Sequence, residues 1–208
     1  MPLFSIINHD HNTTILVWQI TESFDDLLVD TILNNQSIAR LSTMKSENHR
    51  CGFLAIRKML LLVELSDFDV YYSTSGKPFL KNNQHLSISH SHEMATLIIS
   101  NQPVGIDVEL IKPKTIRIAK RFMDILHIND LTDQDAVKKA TIIWGIKEVV
   151  FKIVNQPGIS YPDHIFENQF NVNDCQTKAQ LRDENNILNF DIHFKIINPY
   201  TIVWGFAD

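Results

Sequence analysis

The sequence predicts an α+β fold built from two successive α+β subdomains, residues 1–103 and 104–208. Two helix-length apolar patterns, near 46–65 and 133–154, are each followed by short strand-like segments, so a helix-then-strands plan occurs twice. A turn-rich step at Asn101-Gln102-Pro103 separates the halves, and no low-complexity stretch or long linker interrupts either one. With 208 residues and 44% hydrophobic content, the chain has enough apolar side chains to bury a core.

In chain order, 13–20 reads as a strand and 22–33 as a helix, followed by a polar connection through Asn34-Asn35-Gln36-Ser37. Ser46 is the predicted N-cap of a longer helix reaching about Leu65, with Phe53, Leu54, Leu60, Leu61 and Val63 as core candidates. The period then shortens. Segments 70–73, 85–89, 95–100 and 104–109 read as strands separated by Ser75-Gly76-Lys77-Pro78, Lys81-Asn82-Asn83-Gln84 and Asn101-Gln102-Pro103 turns. Helical patterns at 115–122 and 133–154 precede strand-like segments at 166–172, 180–182, 188–197 and 201–206.

Net charge of −5 and a pI near 6.0 argue against a general nucleic-acid coat, which shows a basic balance. Cys51 and Cys175 are too few and too far apart for a disulfide framework or zinc ribbon. The first ten residues carry no basic region followed by an apolar stretch and a small-residue cleavage site, and no run approaches a membrane span. A cytoplasmic protein that binds neither nucleic acid nor membrane is expected.

Two acidic segments carry the chemistry. In Gly105-Ile106-Asp107-Val108-Glu109, a period of two puts both carboxylates on one strand face and both aliphatics on the other. In the helix beginning at Asp133, Trp144, Glu148 and Lys152 recur every four residues and share a face, while Ile142, Ile146, Val149 and Ile153 supply the buried side. Taken singly, the first reads as the solvated outer face of an edge strand. The second reads as a surface ion pair contributing only ~0.3–0.5 kcal/mol.

Together they resemble the 4′-phosphopantetheinyl transferases of the surfactin-synthetase-associated type, whose signatures are G-[IV]-D-x-E and, further on, W-x-x-K-E-x-x-x-K. Both occur in full, at Gly105 to Glu109 and at Trp144, Lys147, Glu148 and Lys152. The resemblance extends to Gly76-Lys77-Pro78, Ile88-Ser89-His90-Ser91, the run from Gly105 through Phe122, and Gly158-Ile159-Ser160. It implies a pseudo-twofold pair of α+β halves with the active site in the cleft between them, the N-terminal half contacting the nucleotide phosphates and the C-terminal half carrying the metal site.

The implied reaction moves phosphopantetheine from coenzyme A to a serine of an apo acyl or peptidyl carrier protein, with 3′,5′-ADP as leaving group. Phosphoryl transfer of this kind needs neutralised charge and an aligned nucleophile. Mg²⁺ keeps waters and takes few carboxylates, so Asp107, Glu109 and Glu148 are the implied metal ligands. Glu148 is the implied base, its share of that task with Glu109 or a water staying open, and Lys152 is expected to reach the phosphate. Lys147 lies about 100° round the helix and either flanks the site or faces solvent.

For the remaining phosphates of coenzyme A the resemblance implies Lys77, Ser89 and His90. Arg50 and Arg57 share a helix face that is either a basic groove wall or solvated, with Arg57 the better positional match to the family's arginine. His90 and His92 lack a third nitrogen or sulfur ligand for a transition metal, and His9 and His11 read as turn residues. Gly145 replaces the usual Ser, Thr or Ala at a cost of ~1 kcal/mol of helix propensity, and Gly105 is expected to let the chain pass near the cofactor. Segment 123–130 lacks the family's Ser-Glu-Glu, leaving carrier preference open. Its Ile125, Leu126 and Ile128 form core or a docking patch. A monomer is expected. The competing readings are a non-catalytic coenzyme A or carrier-binding module and a metal-dependent nucleotide hydrolase.

Overall fold

A computed structural model describes residues 3–184 and 186–208, helices and antiparallel sheets that make an α+β protein. Met1 and Pro2, which open the stretch read for a leader, lie outside the described residues. The chain divides into two compact units, Met1–Gln102 and Pro103–Asp208.

The first unit opens with a hairpin of β1 (Leu3–Asp10) and β2 (Thr13–Gln19), in which Ile6 faces Leu16 across the pair. β1 is an addition to the sequence reading, and it takes His9 into the strand while His11 stays in the turn. Three helices follow: α1 (Phe24–Leu28), α2 (Asn35–Thr43) and α3 (Glu47–Leu61). Expected over 22–33, α1 is shorter because a Ser23–Asp26 capping box starts it and Asp30, at φ 58°, turns the chain left-handed just past its end. The polar connection at 34–37 is instead a helix start, since the Asn34 side chain accepts from Ser37 N at 2.8 Å.

β3 (Val70–Tyr72) pairs with β4 (Pro78–Leu80), a short strand missed in the sequence. β5 (His85–Ser91) and β6 (Met94–Ser100) complete an antiparallel sheet in the order β1-β2-β6-β5. Every residue of β6 is buried, because it sits in the middle of the sheet. Ala55, Ile56, Met59 and Leu60 of α3 cluster with Leu16, Trp18, Leu97 and Ile99, each large aliphatic contributing about 1.5–3 kcal/mol of burial. Leu61, a predicted core residue, is 52% exposed at the last turn of α3.

The second unit contains β7 (Val104–Leu110), α4 (Lys114–Ile118), α5 (Asp133–Val154), α6 (Tyr161–His164), β8 (Ile165–Glu167), β9 (Gln176–Arg182), β10 (Ile187–Ile197) and β11 (Tyr200–Ala207). Its antiparallel sheet has the order β7-β11-β10-β9-β8. α5 starts where the Thr132 hydroxyl accepts from Asp135 N, with Asp133 and Asp135 in the positive first turn. It stops at Asn155, whose φ of 52° is left-handed and whose N–H bonds Phe151 O. Ile142, Ile143, Ile146, Val149 and Val150 pack against Phe190, Ile192, Phe194 and Val203. Of the apolar trio after Phe122, Ile128 is buried and Ile125 packs on this core, while Leu126 is 67% exposed.

Two glycines set how closely α5 lies on the sheet. A Cβ on Gly105 would stand 2.5 Å from the Val149 carbonyl oxygen, and one on Gly145 would stand 2.6 Å from Val203 Cγ2. Gly105 thus serves the close approach of strand to helix. Gly145 faces Val203 on β11, where a Cβ would meet a side chain that can shift. Among the described residues no helix is long and apolar enough to cross a membrane.

Candidate active site

The acidic motifs meet within the second unit because α5 lies along β7 in the opposite direction. Gly105 faces Val149, Asp107 faces the turn from Gly145, and Glu109 faces Trp144. Trp144 Nε1 donates to Glu109 Oε1 at 3.3 Å, holding the outermost carboxylate. Lys152 Nζ donates to Asp107 Oδ1 and to the Ile106 carbonyl, both at 2.8 Å, and so ties the end of the helix stripe to the middle of the strand motif. A Cβ on Gly145 would come 3.7 Å from Asp107 Oδ2, which therefore faces the bare side of the helix.

Asp107 is only 4% exposed, whereas its strand neighbours Ile106 and Val108 are buried on the opposite face. The alternation read from the sequence holds, but the carboxylate face is covered by α5 instead of solvent. Burial pushes the Glu148 carboxyl above its ordinary range, and the negative charge of Asp107 adds to the shift; Lys152 and a hydrogen bond from Tyr161 pull it back. That bond runs from Tyr161 Oη to Glu148 Oε1 at 3.0 Å. The Tyr161 phenol is itself held far above its usual range, first by burial and then by Glu148, and so stays a neutral donor.

The donor set suits a hard dication in one respect and falls short in another. Asp107 and Glu148 are near enough for their charges to interact, which favours a bound cation, and Glu109 stands at the Trp144 end of the same stripe. Among the described residues, however, no three Asp, Glu, His or Cys side chains stand close enough to hold a metal by themselves. Mg²⁺ does not require such a cage, since waters and substrate phosphate fill most of its six positions. Beside Glu109 lies a hollow of about 210 Å³ lined also by Lys112, Lys114, Thr141 and Trp144.

Of the expected phosphate contacts Lys147 is corrected, and Arg57 proves to be tied into the fold at the wall of a cavity. Lys147 is 2% exposed and donates to Glu167 Oε2 and the Ile165 carbonyl, joining α5 to β8. It neither flanks the carboxylates nor faces solvent, because the 100° turn from Glu148 directs it into the interior. Arg57 is also 2% exposed: Nε donates to Asp67 Oδ1 at 2.9 Å, Nη1 to Phe53 O, and Nη2 to Ser37 Oγ and the Tyr72 hydroxyl. This guanidinium is a structural tie among α2, α3 and β3. Arg50 lies over the Phe24 ring at 3.6 Å, so of the two arginines on this face only Arg57 reaches a cavity wall.

In the first unit, Ser89 and His90 line a cavity of about 270 Å³ with Arg40, His49, Gly52 and Tyr72. The His49 and His90 rings meet edge to face at 5.0 Å. A Cβ on Gly52 would stand 2.6 Å from His90 Cδ2, so the glycine makes room for that ring against α3. Arg57 is on the wall of the same cavity with its guanidinium committed to Asp67, Ser37 and Tyr72, and exposed Arg40, stacked over Tyr72 at 4.4 Å, brings a second cation to it. Lys77 lies elsewhere, 5.9 Å from the Phe79 ring centre, with its pKa lowered by burial.

Sequence reasoning missed Tyr161, Arg40 and His49. Tyr161 lies outside both acidic motifs, and only its place just after Gly158-Ile159-Ser160 hinted at proximity. Arg40 is hidden because residues 34–37 read as a loop and the helix that carries it is not predicted from the sequence.

No family model matches the chain. It is 31% identical over 140 residues to the 4′-phosphopantetheinyl transferase gsp of Aneurinibacillus migulanus, a match covering 64% of this chain and 57% of that protein. It is 30% identical over 149 residues to the 4′-phosphopantetheinyl transferase Sfp of Bacillus subtilis, covering 67% and 66% respectively. A third relative, psf-1 of Bacillus pumilus, is 35% identical over 92 residues, covering 42% and 39%. The matches thus span less than two thirds of these relatives' own lengths. With both acidic motifs intact and brought together on β7 and α5, the chain belongs to the 4′-phosphopantetheinyl transferases of the surfactin-synthetase-associated type.

Proposed function

We propose that this protein transfers phosphopantetheine from coenzyme A to a serine hydroxyl of an apo acyl or peptidyl carrier protein. The observation that carries the reading is the carboxylate cluster of Asp107, Glu109 and Glu148 around one stripe of α5, with Lys152 locked to Asp107. The names of its relatives support the same reaction.

Asp107, Glu109 and Glu148 would hold Mg²⁺, which when bound neutralises pyrophosphate charge. Glu148, whose Oε1 accepts from Tyr161, is the proposed base for the serine hydroxyl, directly or through a water. As the serine oxygen bonds to the phosphorus bearing the pantetheine arm, the bond from that phosphorus to the 3′,5′-ADP oxygen breaks and ADP leaves with its electron pair. The Lys152 ammonium has three hydrogens and gives two to Asp107 and Ile106, which leaves one for a phosphate oxygen. The cavity with Arg40, His49, Ser89 and His90 would take the nucleotide phosphate, and Lys77 a further one. We assign nucleotide contacts to the first unit and the metal and proton chemistry to the second, in a monomeric cytoplasmic enzyme.

Intact-protein mass spectrometry of an apo carrier incubated with this protein, coenzyme A and Mg²⁺ tests the proposal. A phosphopantetheine mass gain, abolished by EDTA and by Asp107→Ala or Glu148→Gln in folded protein, is expected. Loading by those variants would show that the site is elsewhere, and release of ADP without a carrier would favour a hydrolase.

A further inference from the structure

Neither acidic motif contains Tyr161, yet this side chain is built into the carboxylate cluster. It follows the left-handed turn at Gly158, φ 87°, and opens α6, where Ser160 O accepts from His164 N and the Ser160 hydroxyl bonds Asp163. Its ring lies 5.6 Å from Trp144 and 5.9 Å from Phe151, centre to centre. Those two rings stand four residues before and three after Glu148 on α5, so Tyr161 is packed on both sides of the carboxylate it bonds. A phenol carries its hydroxyl at the end of a rigid ring with two side-chain torsions. Once the ring is wedged, the direction of the Oη–H donor is set.

We infer that Tyr161 is a positioning residue: by holding Glu148 Oε1 it fixes the carboxylate plane and presents Oε2 for the divalent cation. The inference rests on the proposed role of Glu148. Tyr161 touches neither substrate nor metal in this scheme and acts only through that glutamate. Partners that orient metal-binding side chains typically account for 10–100-fold in metal affinity. The local sequence supports a dedicated placement, because three separate devices set this one ring: the Gly158 turn, the Ser160 bonds and the aromatic pair on α5.

The test uses Tyr161→Phe, which keeps the ring contacts and deletes only the hydroxyl, with Glu148→Gln alongside. Mn²⁺ binding to the full chain in the presence of coenzyme A is followed by electron paramagnetic resonance, and transfer rate is measured across a Mg²⁺ series. The expected result is about tenfold weaker Mn²⁺ binding in Tyr161→Phe, little change in thermal midpoint, and a rate deficit that shrinks as Mg²⁺ is raised. If Glu148→Gln weakens Mn²⁺ binding and Tyr161→Phe does not, the inference falls while the reading of Glu148 stands. If neither variant alters Mn²⁺ binding, or the wild type binds none, the reading of Glu148 falls and takes the inference with it. A rate loss of equal size at every Mg²⁺ concentration, with a lowered thermal midpoint, would mark Tyr161 as a packing residue and overturn it.

Discussion

Replacing Arg57 by methionine separates a structural arginine from a ligand-binding one. Asp67, with a side chain 1% exposed, accepts from Arg57 Nε at 2.9 Å, from Ser37 Oγ at 2.8 Å and from Asn34 N at 2.7 Å. Methionine preserves the aliphatic stem but leaves a buried carboxylate with only the two neutral donors. Removing one member of a buried pair costs about 3–5 kcal/mol, mostly the penalty of the stranded charge. For a chain of this length that lowers the thermal midpoint by roughly 6–20 °C. Circular dichroism during heating and urea titration reads both quantities. Removing the stranded charge as well, in Arg57→Met with Asp67→Leu, should recover most of the loss. A cost below about 1 kcal/mol, together with a raised KM for coenzyme A, would refute the assignment and restore Arg57 as a phosphate contact.

Other outcomes follow from the same contacts. Gly105→Ala drives a Cβ against the Val149 carbonyl oxygen, which belongs to the backbone of α5, and should cost about 1–3 kcal/mol or more in urea unfolding. Gly145→Ala meets the movable Val203 side chain and regains about 1 kcal/mol of helix propensity, so its net effect should be clearly smaller. Gly52→Ala should displace the His90 ring and raise the KM for coenzyme A several-fold with kcat little changed, as measured by steady-state loading of a carrier. Cys51 is buried and burial raises its thiol pKa, so less thiolate forms at a given pH; iodoacetamide near neutral pH should label exposed Cys175 well before Cys51, as peptide mass mapping would read.

The elements that the sequence revealed most clearly are those with a strong internal period. The 22 residues of α5 match the predicted span because the apolar positions recur at helical spacing and Thr132 caps the start. β7 was equally legible, and with it the shared face of Asp107 and Glu109. β4 was missed at three residues, too short for a period, and α2 was missed because Asn34 through Ser37 reads as a loop until the Asn34 cap is seen. β1 has alternating exposure but Phe4 and Ile6 point outward, so its apolar pattern does not advertise a strand with one buried face.

The sequence by itself determined the identity and order of the carboxylates and the stripe Trp144, Glu148, Lys152, because these are consequences of backbone periodicity and are local. Only the tertiary structure decided where the cations went. Lys147 found Glu167 twenty residues on, and Arg57 found Asp67 ten residues on, each inside a core where an unpaired charge is too costly to persist. It also brought Tyr161 to Glu148 and covered Asp107 with α5. Period gives the face on which a side chain lies. What meets that face, and whether water remains there, depends on packing between segments distant in the chain.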